Sequence, residues 1–191
     1  MMDSKFGSRI SGGNTAYKRQ ASDFYPTPPE ATIALMNFLD LPKENVIWEC
    51  ACGDGHMVEV LRSLGYEVIA TDIRTGTDFL RTDPPEADWI ITNPPFSLSA
   101  KFIERSISLG KPFAFLLKAQ YWHAAKRLSL FREVKPTFIL PLTWRPDFLF
   151  GTRGSGSPLM DVSWVVWEPN QSTTNTIYYP LEKPYIQEDM K

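Results

Sequence analysis

The stretch NVIWECACGDGHMVEVLRSLGYEVIATD, Asn45 to Asp72, carries the architecture of the chain in one pass. NVIWEC is an apolar run of strand length, Ala51-Cys52-Gly53-Asp54-Gly55 is a glycine-bearing turn, and HMVEVLRSLG has a helical pattern. Gly65 stands where that helix must end, as a glycine cap does. YEVIATD is a second strand. Strands that are apolar on both faces and joined through a helix imply a parallel sheet covered by helices.

Working outward, the alternation continues through DWIIT, SAKFIERSISLG, PFAFLLK, YWHAAKRLSLFREV and PTFILPL, with Gly110 as another helix end. The run MDVSWVVWEP follows a connector with no clear helix. A parallel crossover ordinarily needs one, so this strand is expected to enter antiparallel. Upstream, DFYPTPPE places Thr27 before two prolines, with Glu30 three residues on. That is a capping box with a proline start, opening the helix PPEATIALMNFL. The fold class expected is α/β: a single Rossmann-like domain, its sheet mostly parallel with an antiparallel last strand and helices on both faces.

At 191 residues and 43% apolar content the chain has the size and composition of one globular domain. The expected division is a flexible basic arm at 1–22, the domain at 23–168 and a tail at 169–191. No run is long and apolar enough for a membrane span and no leader pattern opens the chain, so a cytoplasmic setting is expected. Cys50 and Cys52, with His56 nearby, lack the remaining ligands of a zinc site, and no metal is expected. The net charge of −2 does not by itself indicate a nucleic-acid partner. However, Lys101 to Lys135 contains eight basic residues against Glu104 and Glu133. This segment is either a solvated helix face or part of a phosphate-binding surface.

Four pieces carry chemistry. The Gly53 and Gly55 turn lies where an open sheet binds ligands, and Val58, where a dinucleotide site wants a third glycine, argues against a pyrophosphate cofactor. Asp72 ends the next strand, where a carboxylate accepts from ribose hydroxyls, which favours an adenosine-containing cofactor. The start of the helix at Thr27-Pro28 is either a plain cap or an anion-binding end. Finally, Thr92-Asn93-Pro94-Pro95-Phe96 ends the strand WIIT in the same crevice. The prolines fix the Asn93 amide and the Pro94 carbonyl, two acceptors for the hydrogens of a planar amine, and Phe96 offers a face for stacking. The plain alternative is a proline turn closing a core strand.

Together, DFYPTP, ECACGDG, ATD, TDFL and TNPPF resemble, in order and spacing, the S-adenosylmethionine-dependent adenine N6-methyltransferases of DNA, particularly the short single-domain type of phages and prophages. The resemblance covers about residues 23–168. It implies a seven-stranded sheet with an antiparallel last strand and S-adenosylmethionine as cofactor. It also implies that Tyr25, Thr27 and Pro28 lie near the methionine end, and that Glu49, Ala51, Gly53 and Gly55 form the cofactor loop. Asp72 and Ile73 are then expected at the ribose and adenine, Asp78 and Phe79 at the same adenine, and Asn93, Pro94, Pro95 and Phe96 form the catalytic tetrapeptide. The larger members' separate target-recognition domain has no counterpart among these residues, so specificity is expected from loops, the basic arm or a partner.

Basic and aromatic groups near the ends of later strands, Lys118, Gln120, Tyr121, Trp122, Trp144 and Arg145, suit phosphate contact and base stacking, or simply a packed core with surface lysines. Arg153, in the polar connector GTRGSGSP, is a further candidate phosphate contact. DNA is the expected partner, ahead of RNA adenine or a protein glutamine as methyl acceptor. A non-catalytic scaffold with an eroded site, or a nicotinamide oxidoreductase, fits these residues less well.

Overall fold

The computed structural model describes residues 25–148, 160–169 and 175–186. The basic arm at 1–22 and the whole connector GTRGSGSP, with its Arg153, lie outside them. Four helices and seven strands are described: α1 (Pro29–Leu39), β1 (Val46–Glu49), α2 (His56–Ser63), β2 (Glu67–Ala70), β3 (Trp89–Thr92), α3 (Ser99–Leu109), β4 (Phe113–Lys118), α4 (Leu128–Glu133), β5 (Phe138–Pro141), β6 (Val162–Trp167) and β7 (Ile177–Tyr178). The strands form one sheet in the order β2-β1-β3-β4-β6-β5-β7. β1 is parallel to β2 and β3, and β3 to β4, while β6 runs antiparallel between β4 and β5.

The two-residue period of β4 sorts the core. Ala114 and Leu116 face one side with Ile47, Ile91, Trp164 and Val166, under α1 and α2. Phe113, Phe115 and Leu117 face the other with Trp48, Ile90 and Trp167, under α3. Both faces are therefore covered, and the central strands are apolar throughout because neither face meets water. Trp164, fully buried, also donates from Nε1 to the Ala31 carbonyl at 2.8 Å, pinning α1 to the sheet.

Six strands coincide with the apolar runs of the sequence, and MDVSWVVW is antiparallel as expected. It is not the last strand, however: β7 follows it and pairs in parallel with β5. β7 is two residues long and exposed at the sheet edge, so it leaves no hydrophobic pattern to read. The segment YWHAAKRLSLFREV is not one helix. It forms two 3₁₀ turns, Ala119–Trp122 and Ala125–Arg127, before the short α4. Ala124 between them is extended, and the Arg127 guanidinium packs 3.9 Å from the Tyr121 ring centre while donating to the Tyr121 carbonyl.

The capping box also resolves differently. The cap position is Pro28, without a side-chain cap bond, and the Thr27 hydroxyl is engaged elsewhere. At the other end of α1, Asp40 is left-handed (φ 44°), the sole non-glycine with positive φ among the described residues. An Asp40→Gly variant removes the strain on Cβ and is expected to be more stable by about 0.5–1 kcal/mol, read as a shifted midpoint in urea.

Candidate active site

Because β1, β2, β3 and β4 are parallel, their carboxyl ends share one edge, and the loops after β1, β2 and β3, with the segment before α1, enclose a pocket there. Its lining includes Tyr25, Thr27, Glu49, Ala51, Asp72, Ile73, Asp78, Phe79, Asn93 and Pro95. These are ten of the residues singled out from the sequence. Pro28, Gly53, Gly55, Pro94 and Phe96 adjoin the lining in the chain without being part of it. The glycine turn earns its residue type: Gly53 and Gly55 have φ of 56° and 89°, and the Gly55 N–H donates to the Cys52 carbonyl at 2.8 Å.

Asp72 is buried where β2 ends. Its Oδ2 accepts from the Gly53 N–H at 2.8 Å, and its Oδ1 accepts from the Arg74 N–H and Nε at 2.8 and 3.1 Å. Burial works against the charge, but the Arg74 and Gly53 amides and the Arg74 guanidinium outweigh it and hold the carboxyl below the ordinary aspartate range. The same guanidinium reaches Asp54 Oδ1 at 3.1 Å, so Arg74 ties the glycine turn to the end of β2. Arg74, Asp54, His56, Met57 and Phe102 line the pocket without having been foreseen. Arg74 carried one readable sign, its place two residues beyond the strand-ending aspartate.

Glu49, 2% exposed, ends β1 and accepts from the Ala51 N–H at 3.1 Å. Desolvation dominates its titration and raises the pKa to about 7, against the opposing effect of the Thr92 hydroxyl and the Ala51 amide. Asp78 turns back to accept from the Leu80 N–H at 3.0 Å. Phe79 is buried between Trp48 and Phe102, with ring centres 5.1 and 4.7 Å away, so most of its surface is core. Ile73, by contrast, is 68% exposed at the pocket rim.

Asn93 leaves β3 with its side chain turned toward the segment before α1. Its Nδ2 donates to the Tyr25 carbonyl at 2.9 Å and to Thr27 Oγ1 at 3.1 Å. A carbonyl cannot donate, so the group facing Tyr25 must be the amide NH₂, and this fixes which end of the side chain is oxygen. Asn93 Oδ1 is buried and has no hydrogen-bond partner among the described residues. An unmet buried acceptor costs roughly 1–3 kcal/mol, and it marks a place where a donor is missing. Beyond Asn93, the Pro95 carbonyl receives the Leu98 N–H at 2.8 Å and the Phe96 carbonyl receives the Ser99 hydroxyl at 3.2 Å, locking the tetrapeptide to the start of α3. The Phe96 ring lies 5.3 Å from that of Tyr25, and Lys118 Nζ stands 4.3 Å above it.

The remaining candidates spread out. Trp122 packs on Phe131 at 4.7 Å and is absent from the pocket lining. Arg145 pairs with Asp161 at 2.7 Å on the surface. The basic segment is not a single patch: Lys111 and Lys135 precede β4 and β5 and so lie at the opposite edge, while Lys118 ends β4 beside the pocket.

Comparison with protein-family models and with curated proteins finds no match. Solved structures do match. A modification subunit assigned to a type I restriction enzyme of Vibrio vulnificus superposes with a TM-score of 0.57 at 13% identity, over 92% of this chain and 50% of its own. A protein of Listeria monocytogenes assigned as a class I S-adenosylmethionine-dependent methyltransferase gives 0.55 at 14% identity, over 93% and 72%. One of Pyrococcus horikoshii assigned as an RNA methyltransferase gives 0.57 at 16% identity, over 87% and 98%. At such identities the shared property is the fold: this chain has the α/β architecture of the class I methyltransferases. It spans about half the length of the Vibrio modification subunit.

Glu49 generates a prediction about stability. A carboxyl whose folded pKa is raised from 4.5 to about 7 leaves the native state unpenalised below pH 4.5 and increasingly penalised as pH rises to 7. A Glu49→Gln variant keeps the acceptor for Ala51 and cannot ionise. It is expected to match the parent near pH 4 and to exceed it at pH 8, by up to about 3 kcal/mol. Thermal melts of both proteins at the two pH values check this, and a pH-independent difference would contradict it.

Proposed function

We propose that this protein transfers the methyl group of S-adenosylmethionine to an exocyclic amino group, namely N6 of adenine in DNA. One observation carries the reading. The Asn93 amide is clamped by Tyr25 and Thr27 so that its oxygen is left buried and without a partner, on a residue that lines the pocket. An acceptor held this way suits an amine whose lone pair is delocalised into a ring. A hydrogen bond to one of its hydrogens favours a pyramidal nitrogen and frees the lone pair for attack.

The residues present fit the proposed cofactor. Asp72 is held in its charged form and its Oδ2, which accepts only from Gly53, retains a lone pair for a ribose hydroxyl, while Glu49, Asp54, Asp72 and Asp78 give the pocket an acidic lining suited to a cation. S-adenosylmethionine supplies a methyl group on a positively charged sulfur. Ile73 and Phe79 offer apolar contact for a purine at the rim. Asn93 and the Pro94 carbonyl hold the acceptor amine, and Pro95 and the locked turn after it keep them from moving. Phe96, half-buried against Tyr25, provides the face on which a base extruded from its duplex can stack. Alignment of the two reacting atoms, rather than a strong base, is the proposed source of rate.

Adenine in DNA is favoured over other planar amines by the sequence resemblance together with the cation at the cleft mouth. Among the described residues no helix is long and apolar enough to cross a membrane. Labelled S-adenosylmethionine offered with separate DNA, RNA and protein pools is expected to label DNA, with the mark on N6 of adenine. Asn93→Ala is expected to bind the cofactor within a few-fold of the parent and to lose transfer by about 10²–10³, as removal of a preorganised polar group does. Undiminished transfer by that variant would overturn the reading.

A further inference from the structure

Arg74 joins two walls of the pocket, the glycine turn after β1 and the end of β2. Its backbone N–H and its Nε both donate to Asp72 Oδ1, at 2.8 and 3.1 Å, while Nη1 and Nη2 donate to Asp54 Oδ1 at 3.1 Å each. Each carboxylate thus meets the arginine through Oδ1. The other oxygens are left over: Asp72 Oδ2 accepts only from the Gly53 N–H at 2.8 Å, and Asp54 Oδ2 has no hydrogen-bond partner among the described residues. All three residues line the pocket. The Asp72 side chain is 9% exposed and that of Asp54 58%, so one carboxylate is set deep and the other stands at the open rim.

We propose that Arg74 is the positioning residue of a two-carboxylate seat for a vicinal diol, with Asp54 as its second acceptor: Asp72 Oδ2 and Asp54 Oδ2 each accept from one hydroxyl of a ribose. The inference deepens the methyltransferase reading and rests on it, because the ribose is that of the proposed cofactor. Two hydroxyls need two acceptors with lone pairs to spare. Asp72 alone offers one, since Arg74 fills Oδ1 with two donors. The guanidinium is planar and its donors form a rigid fork, so the spacing of the carboxylates it bridges is set by its own covalent geometry. That restraint acts where the chain would otherwise be loose. Asp54 lies between Gly53 and Gly55, both of positive φ, and a turn flanked by glycines has conformational freedom that ligand binding would have to remove. With Arg74 on Asp54 and the Gly53 N–H on Asp72, the turn is tied to the end of β2 before a ligand arrives. The same guanidinium offsets the repulsion between two carboxylates turned toward one ligand.

The test couples side chains to hydroxyls and needs no turnover. The parent, Arg74→Met and Asp54→Ala are titrated by calorimetry with S-adenosylhomocysteine and with its 2′-deoxy and 3′-deoxy analogues. The parent is expected to bind each deoxy analogue about tenfold more weakly than the complete ligand, as loss of a hydrogen bond to a charged acceptor does. In Asp54→Ala the penalty for removing one of the two hydroxyls is expected to fall to within about twofold, while the penalty for the other stays near tenfold. In Arg74→Met, where neither carboxylate is held, both penalties are expected to shrink to about threefold or less, and the complete ligand to bind about tenfold more weakly or worse. A purely structural arginine would weaken all three ligands by one common factor, and that result would overturn the positioning role. Two undiminished penalties in Asp54→Ala would overturn the second acceptor. Thermal melts accompany each titration, and should Arg74→Met not fold, Arg74→Gln carries the same expectation. If the parent binds none of the three ligands, the cofactor reading fails and the diol seat fails with it. If the parent binds all three equally well, only the diol seat fails.

Discussion

The active edge depends on one small contact: the amide nitrogen of Asn93 held between the Tyr25 carbonyl and the Thr27 hydroxyl, 68 and 66 residues away in sequence. It joins the segment before the first helix to the end of the third strand. It also decides the chemistry of the amide. With both N–H directions spent, the oxygen is left buried and unmet, and the free energy withheld there becomes available to a ligand that donates. The Tyr25 ring, carried on the same segment, packs on Phe96 and on the buried Phe148, so the clamp aligns the aromatic wall as well.

Around this contact the sheet acts as a positioning frame. Parallel neighbours β1, β2 and β3 place Glu49, Asp72 and Asn93 along one edge, because each ends its strand or follows it closely. Carboxylates gathered at one edge are an electrostatic burden on the folded state. Glu49 shows it most: desolvation holds it near the point of losing its charge at neutral pH. Asp72 escapes the same fate through two backbone N–H groups and Arg74, which bridges onward to Asp54. An acidic pocket in which one carboxyl is secured and another is only marginally charged is suited to a cationic ligand that completes its balance.

Much of this was legible in the chain. Apolar runs bounded by glycine and proline gave six of the seven strands, since buried strands must be apolar and turns must use residues that allow them. The glycine loop, Asp72 and the tetrapeptide were legible because their residue types are chemically scarce at strand ends. Other features were not. Thr27 reads as a helix cap, since the motif is local, yet its hydroxyl serves Asn93. The run from Tyr121 to Val134 has a helical pattern but breaks at Ala124, where packing of Arg127 on Tyr121 outweighs helix propensity. β7 is too short and too exposed to leave a pattern at all.

The sequence by itself determined what is set locally: which segments are buried, where they stop, and which polar groups stand at their ends. Only the tertiary structure decided which way those groups are used. It left the Asn93 oxygen buried without a partner, diverted Thr27 from its cap, put Arg74 between two carboxylates, and set the Lys118 ammonium over Phe96 instead of among the other basic residues of its segment. The physical reason is that hydrogen bonds and charge contacts are satisfied between partners that meet only when strands pair. A residue's type therefore fixes what it can do, and its neighbours in space fix what it does.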